Sequence, residues 1–225
     1  MCDQMAKLEW RDEVIPVSTR FDDPYFSLDN GLDETRHVFL AGNELPARFA
    51  PGFHIAELGF GTGLNLLATW AAWEATGQTT PLTFTSFEAF PMQADEMARA
   101  LTAFPELAPY ATRLTEAWAV DNTLSTLKGI TARVIIGDAR TTLAAQTWQA
   151  NAWFLDGFSP AKNPELWDAD LMTQVGAHTS PGGTAATYTA AGFVRRNLAE
   201  AGFTVTRIPG FGRKRHMTQA IMSTT

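Results

Sequence analysis

Residues 53–65 read FHIAELGFGTGLN. Phe53 to Leu58 is a short apolar run of the kind that forms a buried strand. Gly59, Gly61 and Gly63 follow at alternate positions. Leu64, Leu67, Ala68, Ala71 and Ala72 then recur at helical spacing, which predicts a helix from Gly63 to about Ala75. A strand, a glycine turn and a helix therefore succeed one another. Glycine lets the backbone turn sharply and lets a ligand approach where a Cβ would clash, so this context marks a candidate turn for a nucleotide-type ligand. The spacing is G-x-G-x-G. Dinucleotide fingerprints have one more spacer, and seat a pyrophosphate on the helix N-terminus. The plain alternative is a tight strand–helix connection with no ligand.

Outward from this turn, β-type runs alternate with amphipathic ones. Strands are expected at 53–58, 82–88, 132–137, 152–157, 183–189, 203–208 and 217–222. Helices are expected at 63–75, 91–101, 139–150, 165–175 and 190–201, with Pro91 suited to a first turn. Such alternation implies a parallel sheet covered on both faces. The last two strands are joined by PGFGRKRH, which is too short for a crossover helix, so they must pair antiparallel. The expectation is an α/β, Rossmann-like, mostly parallel seven-stranded sheet ending in an antiparallel hairpin. That is the usual signature of class I S-adenosylmethionine methyltransferases. Residues 1–50 do not fit the alternation: Pro, Asp, Asn and Gly punctuate short aromatic segments. They read as an N-terminal extension, a hairpin and a short helix packed on a methyltransferase domain at 51–225, within one globular unit.

The chain has 225 residues, 45% hydrophobic and 18% charged, which is globular composition with enough apolar side chain for a sizeable core. The formal net charge of −7 argues against indiscriminate nucleic-acid or membrane-surface binding, though not against a local basic patch. One cysteine, Cys2, makes neither an internal disulfide nor a multi-cysteine metal site. The start MCDQMAKLEWRDE is no signal peptide, and no segment approaches the ~18 apolar residues of a membrane span. A cytoplasmic protein without a membrane partner is the expectation.

Three acids end successive strands. Glu88 closes the strand at 82–88, where a carboxylate can accept hydrogen bonds from both hydroxyls of a ribose. Asp138, in Gly137-Asp138-Ala139, ends the next, where such enzymes often contact adenine. For both, a helix N-cap or a solvated loop acid is the competing explanation. Asp156 ends the strand at 152–157, and ligands of open α/β sheets sit beyond the carboxyl ends of the strands. An acid there can accept N–H bonds from an amine, orient its lone pair toward a sulfonium methyl and stabilise developing charge. This chemistry requires no metal. A helix cap is the alternative for Asp156, but Gly157 and two prolines follow it rather than a helix start. Lys162 and Asn163 on the same loop are either loop punctuation or residues that hold the loop shut or touch substrate.

Several whole segments resemble one family. They are PVSTRFDDPYFS (16–27), GLDETRHVFLAGNELPARF (31–49), ELGFGTGLN (57–65), FTSFE (84–88), WFLDGFSPAKNPELW (153–167), GGTAATYTAAGFVRR (182–196) and GFGRKR (210–215). The chain resembles, from about Leu8 to Ile221, the methyltransferase domain of the bacterial enzyme of tRNA 5-methylaminomethyl-2-thiouridine biosynthesis. DGFSPAKNPELW and GFGRKR are the specific stretches.

The resemblance implies methyl transfer from S-adenosylmethionine to the primary amine of 5-aminomethyl-2-thiouridine at the tRNA wobble position. It implies that Glu57, Gly59, Gly61 and Gly63 surround the methionine part of the cofactor, with Phe60, Thr62 and Asn65 beside them. Glu88 then meets the ribose, Asp138 the adenine and Asp156 the amine, with Phe158 against the cofactor. Tyr25 and Phe26 lie near the cofactor or stack a flipped-out uridine, or simply pack in the core. Arg213, Lys214 and Arg215, with Arg195, Arg196 and Arg207, form a candidate phosphate patch, or else a solvated turn. His216 departs from the acidic residue expected after GFGRKR. In its two-domain form the family carries a C-terminal FAD-dependent oxidase that makes the amine. This chain has no second glycine fingerprint, so no flavin is expected in it, and the amine would come from a separate oxidase. A methyltransferase for small-molecule amines, a nicotinamide-dependent oxidoreductase and a non-catalytic tRNA-binding protein stay open as alternatives.

Overall fold

The computed structural model describes residues 5–27, 30–123 and 127–224; Cys2 lies outside them. The chain opens with β1 (Leu8–Arg11), β2 (Ile15–Ser18) and β3 (Asp23–Pro24), a small antiparallel sheet. Helix α1 (Gly31–Thr35) follows, capped by Asn30, whose Oδ1 accepts from the Asp33 amide. It widens into a π-type turn at Arg36–Leu40 and ends in a 3-10 turn at Ala41–Asn43.

The main body continues through β4 (His54–Leu58), α2 (Leu64–Ala75), β5 (Leu82–Glu88), α3 (Ala94–Leu101), α4 (Ala108–Val120), β6 (Ile130–Ile136) and α5 (Ala139–Thr142). It finishes with β7 (Ala150–Leu155), α6 (Ala169–Ala177), β8 (Thr179–Thr187), α7 (Gly192–Glu200), β9 (Phe203–Pro209) and β10 (His216–Met222). The strand order is β6-β5-β4-β7-β8-β10-β9. The first five are parallel; β10 runs antiparallel to both β8 and β9. The expected fold class is therefore present. The last strand lies inside the sheet and leaves β9 at the edge.

All five residues of β4 are buried, as a central parallel strand with both faces covered requires. Ile55 faces a layer that holds Trp70, Trp73, Phe84 and Phe154; Ala56 and Leu58 face one with Trp153, Leu171 and Leu198. The alternation follows from the two-residue period of a strand. Val38, Phe39 and Leu40 of the N-terminal segment join the first layer. No helix among the described residues is long and apolar enough to cross a membrane.

Element boundaries differ from expectation at several points. Helix α4 was not anticipated, because only Leu114 and Trp118 of its length are fully buried and its apolar stripe is narrow. The helix expected at 139–150 stops as α5 and a 3-10 turn at Leu143–Ala145. His178 Nε2 bonds the Gln146 carbonyl at 3.1 Å, which holds the chain out of the helix, and Ala150 already belongs to β7. Pro91 precedes α3 rather than opening it: Gln93 is the N-cap and forms a capping box with Glu96. The helix expected at 165–175 is a 3-10 turn at Pro164–Trp167 followed by α6, which Asp168 caps. Strand β8 starts and ends before the expected 183–189, leaving Tyr188 and Thr189 beyond its carboxyl end.

Candidate cofactor and methyl-transfer site

The glycine turn connects β4 to α2 at the carboxyl end of the sheet. Gly59 sits at φ +90, and a Cβ there would lie 2.0 Å from the Asp156 carbonyl oxygen. Glycine is thus required for β4 and β7 to end side by side. Gly61, at φ +55, lies under the Tyr25 ring, and Gly63, at φ +79, caps α2. Phe60 stacks on Trp118 with centroids 5.0 Å apart, so the unanticipated α4 clamps the turn from behind. Thr62 is buried in the same turn.

Glu57 is fully buried on β4. Its Oε1 accepts from Asn65 Nδ2 at 2.8 Å and its Oε2 from Ser86 Oγ at 2.6 Å. Burial pushes this carboxyl well above the usual range. Asn65 Nδ2 also donates to Asp156 Oδ2 at 2.7 Å, and Asn65 Oδ1 accepts from Thr35 Oγ1 at 2.8 Å. One amide therefore ties α1, β4 and the end of β7 together. Asp156 caps no helix. Burial pushes its carboxyl up to about 7; the Asn65 hydrogen bond opposes the rise, the Glu34 charge adds to it and the Lys214 charge opposes it.

Glu88 accepts the Gly61 amide at 3.0 Å and the Phe90 amide at 2.7 Å. Burial raises its carboxyl and these amides offset part of the rise. The Phe60 and Ala89 amides act on it in the same direction, so four backbone N–H groups surround a carboxylate that also lines the cavity. Asp138 caps α5 by accepting the Arg140 amide at 2.9 Å, and pairs with the Arg140 guanidinium at 2.6 Å, which lowers its pKa. The capping role weighed from sequence is present, and Asp138 lines the cavity as well.

The turn from Gly59 to Thr62, with Asn65, Glu88, Asp138 and Asp156, lines a cavity of about 550 Å³. Glu57 and Gly63, expected from the sequence to surround the cofactor, are not in its lining: Glu57 is engaged within the core by Asn65 and Ser86. Phe158 stacks on Phe21 at 4.7 Å and meets Tyr25 edge-on at 4.9 Å. Phe26 packs against Phe104 at 5.0 Å, a core contact, while one side of it lines the cavity. The loop after Asp156 is fastened to the N-terminal sheet: the Ser159 amide donates to Asp23 Oδ2 at 2.9 Å. Lys162 Nζ reaches the Asp22 carbonyl and pairs with the Asp22 and Asp23 carboxylates at 3.3 and 3.6 Å. Lys162 thus ties the loop to Asp22 and Asp23, and Asn163 lines the cavity.

The basic turn divides. Arg213, Lys214 and Arg215 are all exposed, but the Lys214 ammonium reaches inward: its Nζ lies 2.7 Å from Glu34 Oε1 and 4.0 Å over the Tyr188 ring. At the far end of the turn, His216 is held toward its neutral form by desolvation and by the charges of Arg207, Arg215 and Arg195.

S-Adenosylmethionine fits this arrangement. A Cβ at Gly61 would meet the Tyr25 ring, so the glycine keeps the cradle open, and the Glu88 carboxylate lines the cavity beside it. Residues not singled out from the sequence also line the site: Glu34, Thr35, Tyr188, Arg20 and Phe21. Nothing in their local spacing marks them, because distant segments bring them in. Ser86 had a signal. It pairs in register with Glu57 and shares a strand face with Glu88.

The structure is similar to MnmC2 from Aquifex aeolicus, with 26% sequence identity over 99% of this chain and 72% of that chain, at a TM-score of 0.78. This agrees with the resemblance to the methyltransferase domain of the tRNA-modifying enzyme. The fold is shared with a methyltransferase from Pyrococcus furiosus (14% identity, 97% and 89% covered, TM-score 0.50). It is shared also with precorrin-6y C5,15-methyltransferase from Geobacter metallireducens (9% identity, 95% and 98% covered, TM-score 0.51). The sequence profile of one family matches residues 105–223, more than half of the chain, and by that match the chain belongs to the S-adenosyl-L-methionine-dependent methyltransferases.

Proposed function

We propose that this chain methylates the primary amine of 5-aminomethyl-2-thiouridine at the wobble position of tRNA. The observation that carries the reading is the Asp156 carboxyl, which Asn65 holds at the carboxyl end of β7 beside the glycine turn. Similarity to MnmC2 from Aquifex aeolicus over nearly the whole chain supports the choice of a tRNA substrate.

When bound, S-adenosylmethionine supplies a methyl group on a positively charged sulfur, an electrophile that needs no metal. The protein's task is to deliver a nitrogen with a free lone pair. A primary alkylamine is an ammonium in neutral water and must first lose a proton. Asp156, with its carboxyl near 7, takes that proton; the amine then turns to donate a remaining N–H bond to the same carboxyl, which leaves its lone pair facing away toward the methyl group. Glu57 and Asn65 stay in place and fix the Asp156 orientation. Glu88 is assigned to the ribose, Asp138 to the adenine side, and Phe158 and Tyr25 to the wall between cofactor and base. Arg213 and Arg215, with the cations around His216, are assigned to RNA phosphates. The amine itself would be the product of an FAD-dependent oxidase.

The test is incubation with labelled S-adenosylmethionine and tRNA bearing the aminomethyl group, followed by nucleoside mass spectrometry. One methyl added at the wobble uridine is expected. Methylation of free small amines with none on tRNA would overturn the proposal.

A further inference from the structure

The inward course of Lys214 points to a seat for the acceptor. Its ammonium lies between one carboxylate oxygen of Glu34, at 2.7 Å, and the face of Tyr188, at 4.0 Å. A carboxylate and an aromatic face are the partners that recognise a primary alkylammonium. All three residues line the same cavity as Asp156. Tyr188 Oη donates to the carbonyl of Gly157, the residue after Asp156, at 2.7 Å. The charges of Glu34 and Lys214 both act on the Asp156 carboxyl.

We propose that Glu34 and Tyr188 form the binding seat for the acceptor's ammonium group, and that Lys214 is its resident occupant in the substrate-free protein. This rests on the reading that the acceptor is a primary amine. The two sides of the contact differ in a telling way. The Glu34 side chain is 13% exposed and fixed on α1, whereas that of Lys214 is 44% exposed and arrives from the surface turn between β9 and β10. The seat belongs to the core and its occupant to a surface turn. A carboxylate so little exposed is costly without a cation. Replacing one primary ammonium by another keeps the charge balance, whereas a neutral group leaves Glu34 unpaired. The seat therefore selects an amine over a hydroxyl of the same shape. Arg213 and Arg215 flank Lys214, so an RNA phosphate docked on the turn draws Lys214 outward and vacates the seat. Self-occupancy acts as a penalty on any amine that arrives without a phosphate backbone.

The test uses the nucleosides 5-aminomethyl-2-thiouridine and 5-hydroxymethyl-2-thiouridine, with binding followed by calorimetry in saturating S-adenosylhomocysteine. Lys214→Met is expected to bind the aminomethyl nucleoside at least tenfold more tightly than wild type, with no change for the hydroxymethyl nucleoside. Glu34→Gln is expected to bind the aminomethyl nucleoside at least tenfold more weakly. The double variant, which carries no unpaired charge at the seat, is expected to fold and to lose at least tenfold of the preference for the amine that Lys214→Met shows, keeping only what Asp156 contributes. Weaker or unchanged aminomethyl binding in folded Lys214→Met overturns the proposal, as does a double variant that prefers the amine as strongly as Lys214→Met. Methylation of tRNA by wild type is measured separately. If tRNA is methylated but the exchange pattern fails, the seat is wrong. If the exchange pattern holds but tRNA is not methylated, the tRNA reading is wrong and the seat stands.

Discussion

Asn65 donates a 2.7 Å hydrogen bond to Asp156, joining the first turn of α2 to the carboxyl end of β7. The same nitrogen serves Glu57, so one side chain supports two carboxyls. Asn65→Leu leaves both acceptors, and the Thr35 hydroxyl, short of a partner. Lost buried hydrogen bonds cost about 1–3 kcal/mol each, and at about 2–4 °C per kcal/mol for a chain of this size a total loss of about 3 kcal/mol predicts a Tm lower by roughly 6–12 °C. Methyl transfer should fall by at least ~10-fold even in the folded fraction, because Asp156 loses its orientation. Scanning calorimetry and single-turnover rates check this; unchanged turnover would show that Asp156 needs no such support.

Glu88 fixes the glycine turn from within, through the Gly61 amide, and lines the cavity where a ligand would sit. Glu88→Ala removes both functions. Hydrogen bonds to charged groups are worth about 1.5–3 kcal/mol, so affinity for S-adenosylhomocysteine should drop about 10- to 100-fold. Calorimetric titration reads the change, and an unchanged Kd would refute the ribose assignment.

Gly59→Ala puts a methyl group into the Asp156 carbonyl, which lies 2.0 Å from the ideal Cβ position. Both partners are backbone at strand ends, so relief requires β4 and β7 to separate. The variant is expected to lose cofactor binding outright and several degrees of Tm. Gly52→Ala is the control. It shares a positive φ but meets nothing within 4 Å, and should bind cofactor normally.

The pH dependence of transfer follows from Asp156. Its carboxylate must be free to take the amine proton, and burial lifts its pKa to about 7. The rate is expected to fall about tenfold per pH unit on the acid side of a midpoint near 7. Asp156→Asn should abolish transfer across the range. A rate flat between pH 5 and 7 would place the proton acceptor elsewhere.

His54 governs acid stability. Burial lowers its pKa to about 4, and its Nε2 lies 2.9 Å from the Thr85 hydroxyl. Between about 4 and 6.5 the unfolded chain binds the proton that the folded chain refuses, so stability falls as pH drops through this window. Asp156 acts oppositely. Its raised carboxyl keeps a proton that the unfolded chain gives up, so its contribution falls as pH rises from about 4 to 7. His54→Gln should flatten the acid loss, and Asp156→Asn should raise stability most above pH 7. Denaturant titrations across pH 4–8 separate the two slopes.

The sheet was legible because strand and helix periods are local properties. The run 53–65 alone fixes a strand, a turn and a helix, and PGFGRKRH between two β-type runs forces an antiparallel pair. The positions of Glu57, Glu88 and Asp156 at one end of the sheet follow from that topology, since each lies at or near the carboxyl end of a parallel strand. Helix α4 escaped because its two fully buried residues make too thin a stripe to read. The second half of the site was decided by tertiary structure. Glu34 and Lys214 stand far apart in the chain and meet only when the β9–β10 turn folds over α1. Sequence placed Lys214 in a basic turn and gave no reason for it to leave Arg213 and Arg215. A half-buried carboxylate supplied that reason, because a charge taken out of water needs a counter-charge within reach.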